Sequence, residues 1–214
     1  MFIGVKDCII CMYDKNLSMN HIAKYLTSNT FEKYSLKKLN DKILDVEFTW
    51  LDSIKIRDKI VSRKQKTIRS WIYLDMNYIV LFGSSESDVN FFKTKLQNLL
   101  GITIKELNLY SEWRWNYLHK RSWIATLTSI QLKDEITPYD EGRITSIQVN
   151  NLTLEEVKRI LTERMNLIIS LTFSYRKYNK ITFYMDPKSV ISFPDTIHLN
   201  EMIVILDEVR NEQR

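Results

Sequence analysis

Two stretches of the chain share one order of apolar and polar positions, and in each the pattern predicts two strands joined by a tight turn. The first stretch is residues 72–83 and the second is residues 183–194, and they align without gaps. Three positions are identical in the two stretches, namely Tyr73 and Tyr184, Asp75 and Asp186, and Phe82 and Phe193. Asp favours the start of a turn, and Pro187 suits the second position of one. The shared pattern predicts an internal repeat of a strand–turn–strand unit.

Each of these stretches is followed by a pattern typical of an amphipathic helix. In the first case Ser84 and Ser85 can cap the helix, and Gly101 can end it. The apolar positions of this helix are Val89, Phe92, Leu96, Leu99 and Leu100. Those of the second helix are Leu199, Met202, Ile203, Leu206 and Val209. We therefore predict that the repeat includes the helix after each pair of strands.

Further elements precede each repeated unit. Residues 153–156 form a capping box that opens a helix, and residues 167–175 alternate into a strand. In the first half Ser18 can cap a helix over residues 20–28, and residues 45–50 begin a strand that leads into a long basic hairpin. The remaining predicted strands are residues 8–13, 123–132 and 143–149.

Together these elements predict an α+β protein whose two halves each have the order β–α–β–β–β–α. The halves are residues 1–104 and 122–214, and an aromatic and basic connector at residues 105–121 joins them. In such an arrangement the helices pack on one face of an antiparallel sheet and leave the other face exposed or occupied. Because each half alone would bury little apolar surface, we expect both to share one curved sheet in a single structural domain.

The duplicated order of elements resembles the saddle of the TATA-binding-protein fold. The residues that carry the resemblance are the strand–turn–strand–helix units at residues 71–101 and 182–210, including Leu99-Leu100-Gly101-Ile102 at the end of the first helix. The resemblance implies a concave sheet that binds the minor groove of DNA, with paired phenylalanines wedged between bases. Phe82 and Phe193 are related by the repeat, but alternation places them facing the helices, so we assign them no base contact. The same saddle serves other functions, and the fold alone does not define one.

Composition excludes several broad classes of protein. Of the 214 residues 44% are hydrophobic, which is enough for a core and argues against a disordered chain. The two cysteines cannot form a disulfide framework. The longest apolar runs are too short to span a bilayer, and residues 1–8 do not form a secretory signal. We therefore expect a cytoplasmic protein that does not enter a membrane.

Positive charge is concentrated in one segment, residues 53–69. This segment holds seven basic residues and one acid, Asp58, whereas the whole protein has a net charge of only +5. The seven are Lys55, Arg57, Lys59, Arg63, Lys64, Lys66 and Arg69. A second basic cluster occupies the matching hairpin of the other half and consists of Arg176, Lys177 and Lys180. Such clusters favour contact with the phosphates of a polyanion, and the alternative is an edge hairpin whose lysines prevent sheet-to-sheet aggregation.

No catalytic or metal site is predicted from the chemistry-bearing residues. Cys8 and Cys11 have the spacing of a metal or redox pair, but in an apolar strand residues three apart point to opposite faces, which favours core packing. The three histidines, His21, His119 and His198, lack the spacing of a zinc motif. The four glycines form no phosphate-binding loop. We accordingly predict a protein that is not an enzyme and has no cofactor.

One pair of carboxylates keeps a nuclease hypothesis open. Asp45 and Glu47 lie two residues apart on a predicted strand, so they share a face and can approach a metal ion together. However, no lysine follows two residues after Glu47, where a restriction-type nuclease needs one. A metal-dependent nuclease is therefore the weakest of our hypotheses.

The connector holds a dense group of aromatic residues. Trp113, Trp115 and Tyr117 can stack on the bases of a single strand, fill the core beneath the helices, or anchor a partner protein. Core packing combined with a partner interface is the interpretation we favour, and we assign these three residues to partner binding.

Two function hypotheses follow from the charge and the aromatic residues. The first is a non-enzymatic module that binds nucleic acid, with duplex DNA the expected form, through contacts between its basic hairpins and the phosphate backbone. The second is an interaction subunit of a larger assembly, for defence or for nucleic-acid processing, with a partner protein or a second copy of the chain docked on it.

Overall fold

The computed structural model describes residues 7–56, 59–83, 85–119, 125–133, 143–175 and 181–211, with the backbone alone at residues 53–56, 59–63 and 210–211. Within those residues the protein is α+β, as predicted, with five α-helices and eleven strands. Every strand pair that is defined below is antiparallel. The chain divides into two compact units, one at Cys8–Leu107 and the other built mainly from Asn108–Arg214.

The described residues of the first unit form six strands and two α-helices. They are β1 (Asp7–Tyr13), α1 (Met19–Tyr25), β2 (Glu32–Lys38), β3 (Ile43–Ile56), β4 (Lys59–Tyr73), β5 (Tyr78–Phe82), α2 (Glu86–Leu100) and β6 (Ile104–Glu106). The strands follow the order β2-β3-β4-β5-β1-β6 in an antiparallel sheet. Strand β2 has no counterpart in the predicted order of elements, so the prediction of three strands between the helices is wrong.

One face of this sheet packs against both helices. Val46, Phe48 and Leu81 of the sheet share a buried cluster with Phe92 of α2 and Ile22 of α1. The ring of Phe48 stacks on that of Phe92 with 5.2 Å between centroids. Because aromatic rings bury large apolar areas, this cluster is the core that fixes the helices on the sheet.

The ends of α2 confirm the local signals in the sequence. The Ser85 hydroxyl oxygen accepts a hydrogen bond from the backbone N–H of Asp88, which caps the first turn. Gly101 ends the helix in the left-handed conformation at φ 63°, which glycine adopts without a steric penalty. Ser84 lies outside the described residues.

The opposite face of the sheet is also buried around Trp71, Val80 and Phe82. The rings of Trp71 and Phe82 meet edge to face at 4.7 Å. Leu81 lies in the core beneath the helices, and adjacent residues of a strand point to opposite faces. Phe82 therefore points away from α1 and α2, and the prediction that it faces the helices is wrong.

The described residues of the second unit form five strands and three α-helices. They are α3 (Leu109–Leu118), β7 (Ala125–Lys133), β8 (Ile144–Gln148), α4 (Leu154–Glu163), β9 (Ile168–Tyr175), β10 (Thr182–Met185), β11 (Ile191–Ser192) and α5 (Leu199–Asn211). Their antiparallel order is β8-β7-β9-β10-β11. The helices and strands predicted for this half are present within the described residues. The connector, however, contains a strand, β6, and a helix, α3, that the sequence analysis did not predict.

The structure does not confirm the internal duplication. In the first unit β1 pairs with β5, whereas in the second β7 pairs with β9. The aligned turns also differ, because the Tyr73–Tyr78 pair closes residues 74–77 and the Met185–Ile191 pair closes residues 186–190. Tyr73 is buried, while its aligned partner Tyr184 is 41% exposed. This identical pair therefore has different structural roles in the two units.

Thr153→Ala should destabilise the protein by about 1 kcal/mol, because it removes the side-chain half of the capping box of α4. The Thr153 side chain accepts from the backbone N–H of Glu156, and the Glu156 carboxylate accepts from the backbone N–H of Thr153 at 2.8 Å. The hydrogen bonds that the backbone N–H and the hydroxyl of Thr153 donate to this carboxylate hold the pKa of Glu156 below its ordinary 4.5. The contribution of the Glu156 carboxylate to folding stability is therefore present above pH 4.5. It is lost as the pH falls through the lower pKa that Glu156 has in the folded protein.

Thermal unfolding at pH 7 and at acidic pH measures this effect. The control is Thr162→Ala on the same helix, where the hydroxyl only donates to a carbonyl of its own preceding turn. Equal melting temperatures for Thr153→Ala and the parent at pH 7 would contradict the expectation.

Candidate nucleic-acid interface: the ribbon of β3 and β4

Strands β3 and β4 extend beyond their neighbours in the sheet. Strand β2 pairs with β3 as far as Trp50, and β5 pairs with β4 from Arg69 onward. Further towards the end of the hairpin, the described parts of β3 and β4 pair with each other. These pairs run from Asp52 with Lys64 to Ile56 with Lys59. We call residues 52–56 and 59–64 the ribbon. At about 3.3 Å per residue it reaches about 17–20 Å beyond the sheet.

The sequence favours this long hairpin. β-branched residues, which suit a strand, recur on both sides of it as Ile54, Ile56, Ile60 and Val61. The register shifts between Ile54 and Lys55, and such a bulge increases the local twist of a strand pair. The residues that connect the two strands, 57–58, lie outside the described residues.

Four of the seven cations predicted in this segment lie outside the described side chains, namely Lys55, Arg57, Lys59 and Arg63. Of the three described ones, Lys64 is exposed. Its register partner across the ribbon is Asp52. Within the described residues we find no hydrogen bond or ion pair of the Lys64 side chain, so its ammonium is available to a bound anion.

Arg69 is committed to an internal ion pair. Its Nε donates to Asp45 Oδ1 at 2.6 Å, and its terminal nitrogen donates to Asp45 Oδ2 at 2.5 Å. Both side chains are largely buried, at 13% and 4% exposure. The hydrogen bonds that Arg69 donates to Asp45 raise the pKa of Arg69 above its usual value. This bidentate geometry leaves Arg69 poorly placed to contact a phosphate.

The same pair bears on the nuclease hypothesis. Both carboxylate oxygens of Asp45 accept hydrogen bonds from Arg69, so they do not point together with Glu47 towards an open metal position. In the part of the chain that the structure describes, no group of three or more His, Cys, Asp or Glu side chains has the arrangement of a metal site.

Lys66 is held between two carboxylates. Its ammonium lies 2.8 Å from Asp52 Oδ2 on β3 and 2.8 Å from Asp88 Oδ1 on α2. Its hydrogen bond to Asp52 raises the pKa of Lys66, and the one to Asp88 adds to the effect. Two carboxylates around one ammonium give this group an excess of negative charge.

The second basic cluster, Arg176, Lys177 and Lys180, lies outside the described residues. The residues that flank it are described: the backbone N–H of Tyr175 donates to the carbonyl of Ile181 at 3.0 Å. Only five residues, 176–180, therefore connect the bonded residues Tyr175 and Ile181.

The aromatic residues of the connector occupy different environments on α3. Trp113 is buried, and its ring meets those of Phe173 and Phe183 edge to face. A partner protein cannot reach it in this structure. Trp115 is 44% exposed and stacks on His119 with 4.1 Å between ring centroids. Burial of part of the Tyr117 side chain raises the pKa of its hydroxyl.

The cysteines are core residues, as predicted. Cys8 and Cys11 are buried, and burial raises the pKa of the Cys11 thiol to about 12. A thiol with this pKa is protonated at neutral pH and is a poor nucleophile. None of the described helices has the length and apolar character that crossing a membrane requires.

Sequence reasoning missed the acids that neutralise part of the basic segment. Asp52 lies on the strand opposite Lys64 and Lys66. Counting residues back from the turn of the hairpin could have predicted this pairing. Asp88 comes from α2, and no pattern in the sequence brings this helix to the base of the ribbon. Asp45 was considered for metal binding rather than as a partner of Arg69.

No protein-family model matches this sequence, and a search of curated proteins found no match.

Proposed function

We propose that this protein binds nucleic acid through contacts between the ribbon and the phosphate backbone of a duplex. The observation that supports this most strongly is the shape and composition of the ribbon, a two-stranded antiparallel unit that extends beyond the sheet and is rich in basic residues. The major groove of B-DNA admits a two-stranded β-ribbon, and cations that neutralise phosphates supply affinity without sequence specificity.

The internal ion pairs narrow the set of contacting residues. Lys66 and Arg69 are bound to carboxylates of the protein itself, and displacing those partners would cost much of the gain from a phosphate contact. We assign the contacts to the cations at and beyond Lys64, namely Lys55, Arg57, Lys59, Arg63 and Lys64. The second cluster at residues 176–180 is a supplementary contact in this proposal.

Replacing Lys55, Lys59 and Lys64 together by Gln should lower the dependence of duplex affinity on salt. Each phosphate contact contributes about 0.9 to the slope of log K against log salt concentration, so the slope should fall by about 2.7. Fluorescence anisotropy with a labelled generic duplex at several salt concentrations measures it. The triple change Arg176→Gln, Lys177→Gln and Lys180→Gln should have a smaller effect, because only five residues connect Tyr175 to Ile181.

A matched control separates contact from overall charge. Lys33→Gln, Lys37→Gln and Lys38→Gln remove the same charge from β2, where all three lysines are exposed. This variant should keep nearly the parental slope. Equal losses in the ribbon variant and the β2 variant would contradict the assignment, and a parent that fails to bind duplex at low salt would overturn the proposed function.

A second candidate function is protein binding at α3. The observation that favours it is the exposed, stacked pair of Trp115 and His119, because tryptophan is enriched in the energetically dominant positions of protein interfaces. A stoichiometric partner that is lost with Trp115→Ala but retained by the ribbon variant would favour this candidate over the first.

A further inference from the structure

Three elements meet at the base of the ribbon around Lys66. Its backbone belongs to β4, and its ammonium binds Asp52 of β3 and Asp88 of α2, each at 2.8 Å. The side chains are 27% exposed for Lys66, 43% for Asp52 and 25% for Asp88. Lys66 pairs in register with Trp50, the last residue of β3 that β2 supports. The cluster therefore lies at the level where the sheet ends and the ribbon begins.

This level is where the ribbon can bend. A two-stranded ribbon is only marginally stable without further support. The backbone N–H of Leu51 still donates to the carbonyl of Phe31, and beyond Leu51 the described part of β3 pairs with β4 alone. Asp88 belongs to the first turn of α2, where its backbone N–H donates to the Ser85 hydroxyl. Phe92, one turn further along, lies in the core beneath the sheet. Asp88 is therefore a fixed point to which the ribbon can be tied.

An apolar contact lies beside the ionic one. The ring of Trp50 meets that of Phe91 on α2 with 5.2 Å between centroids. Trp50 and Lys66 are cross-strand partners, so the two contacts link the same level of the ribbon to the same helix.

We propose that Lys66 is a positioning residue, which holds the ribbon at a fixed orientation to α2 and does not itself contact the polyanion. This inference rests on the proposed function. Two carboxylates around the ammonium leave excess negative charge there, which repels a phosphate. A ribbon that is already oriented loses less conformational freedom on binding, and this raises affinity without a further contact.

Asp88→Asn distinguishes a positioning role of Lys66 from a contact role, because the two roles predict opposite changes in duplex affinity. The substitution weakens the tie to α2 and leaves Lys66 positively charged. If Lys66 positions the ribbon, duplex affinity should fall by about three- to tenfold with an unchanged salt slope. Backbone amide exchange at residues 59–65, measured without nucleic acid, should become faster. If Lys66 is instead a masked contact, freeing it should strengthen binding.

The matched control is Asp41→Asn, which makes the same change in charge. Asp41 is exposed and precedes β3, at the end of the strand opposite the ribbon. Tighter binding by Asp88→Asn than by Asp41→Asn would overturn the proposal. So would equal affinity of the two variants with unchanged amide exchange in the ribbon.

A second pair of variants tests the same point from the lysine side. Lys66→Met should keep the parental salt slope, whereas Lys64→Met should lower it by about one unit. A loss of one unit in Lys66→Met would make Lys66 a contact and would overturn the positioning role while leaving the proposed function intact. A parent without salt-dependent duplex binding would overturn the proposed function itself, and the positioning role with it.

Discussion

Trp113→Ala should lower the free energy of unfolding by about 3–5 kcal/mol, the usual cost of truncating a large buried aromatic side chain. The Trp113 side chain is 2% exposed, and its ring lies 5.2 Å from that of Phe173 and 5.8 Å from that of Phe183. Truncation leaves a cavity between a helix and two strands that cannot fully collapse. Urea unfolding followed by far-ultraviolet circular dichroism measures the loss.

Trp115→Ala is the matched control two residues along the same helix. Because Trp115 is 44% exposed, its loss should change stability by only about 0.5 kcal/mol. Similar unfolding midpoints for both variants would show that Trp113 is not part of the core. A partner that binds through α3 should be sensitive to Trp115→Ala under conditions where the variant is fully folded.

Arg69→Met should cost about 3–5 kcal/mol, because it leaves the carboxylate of Asp45 buried without its bidentate partner. Asp45 is 3% exposed as a whole residue. The double change Asp45→Leu with Arg69→Met should recover most of the loss, since an apolar pair of similar volume often replaces a buried ion pair at little cost. Urea unfolding of the parent and both variants measures the two effects.

Binding measurements on the same variants separate structure from contact. At a temperature where Arg69→Met remains folded, its salt slope for duplex binding should equal that of the parent. Lys64→Met should behave in the opposite way, with parental stability and a slope lower by about one unit. A stable Arg69→Met variant with a reduced slope would make Arg69 a contact after all.

Local signals explain why many elements could be predicted from the sequence. Helix α2 begins after Ser85 and ends at Gly101, and α4 begins with the capping box of Thr153 and Glu156. The hydrogen bonds at these helix ends join residues that are close in sequence. Strand β2 was missed because it lies at the sheet edge with Tyr34 and Leu36 only partly buried, so its pattern contains few strongly apolar positions.

Features that depend on distant parts of the chain could not be predicted in the same way. Asp88, one partner of Lys66, comes from α2, and only the tertiary fold brings this helix to the hairpin. The apparent repeat shows a related limit. Tyr73 and Tyr184 are identical in alignment, but one is buried and the other exposed, because a strand–turn–strand–helix pattern constrains local structure more than burial.

The length of the ribbon can change independently of the rest of the fold. Its strands pair with each other beyond the level of β2 and β5, so cross-strand pairs can be added or removed at its end without altering the sheet. Each pair changes the length by about 3.3 Å, and because side chains alternate between faces, changes of two pairs preserve which residues share a face. Inserting or deleting two cross-strand pairs at the end of the ribbon should therefore change its length and leave the core of the sheet unchanged.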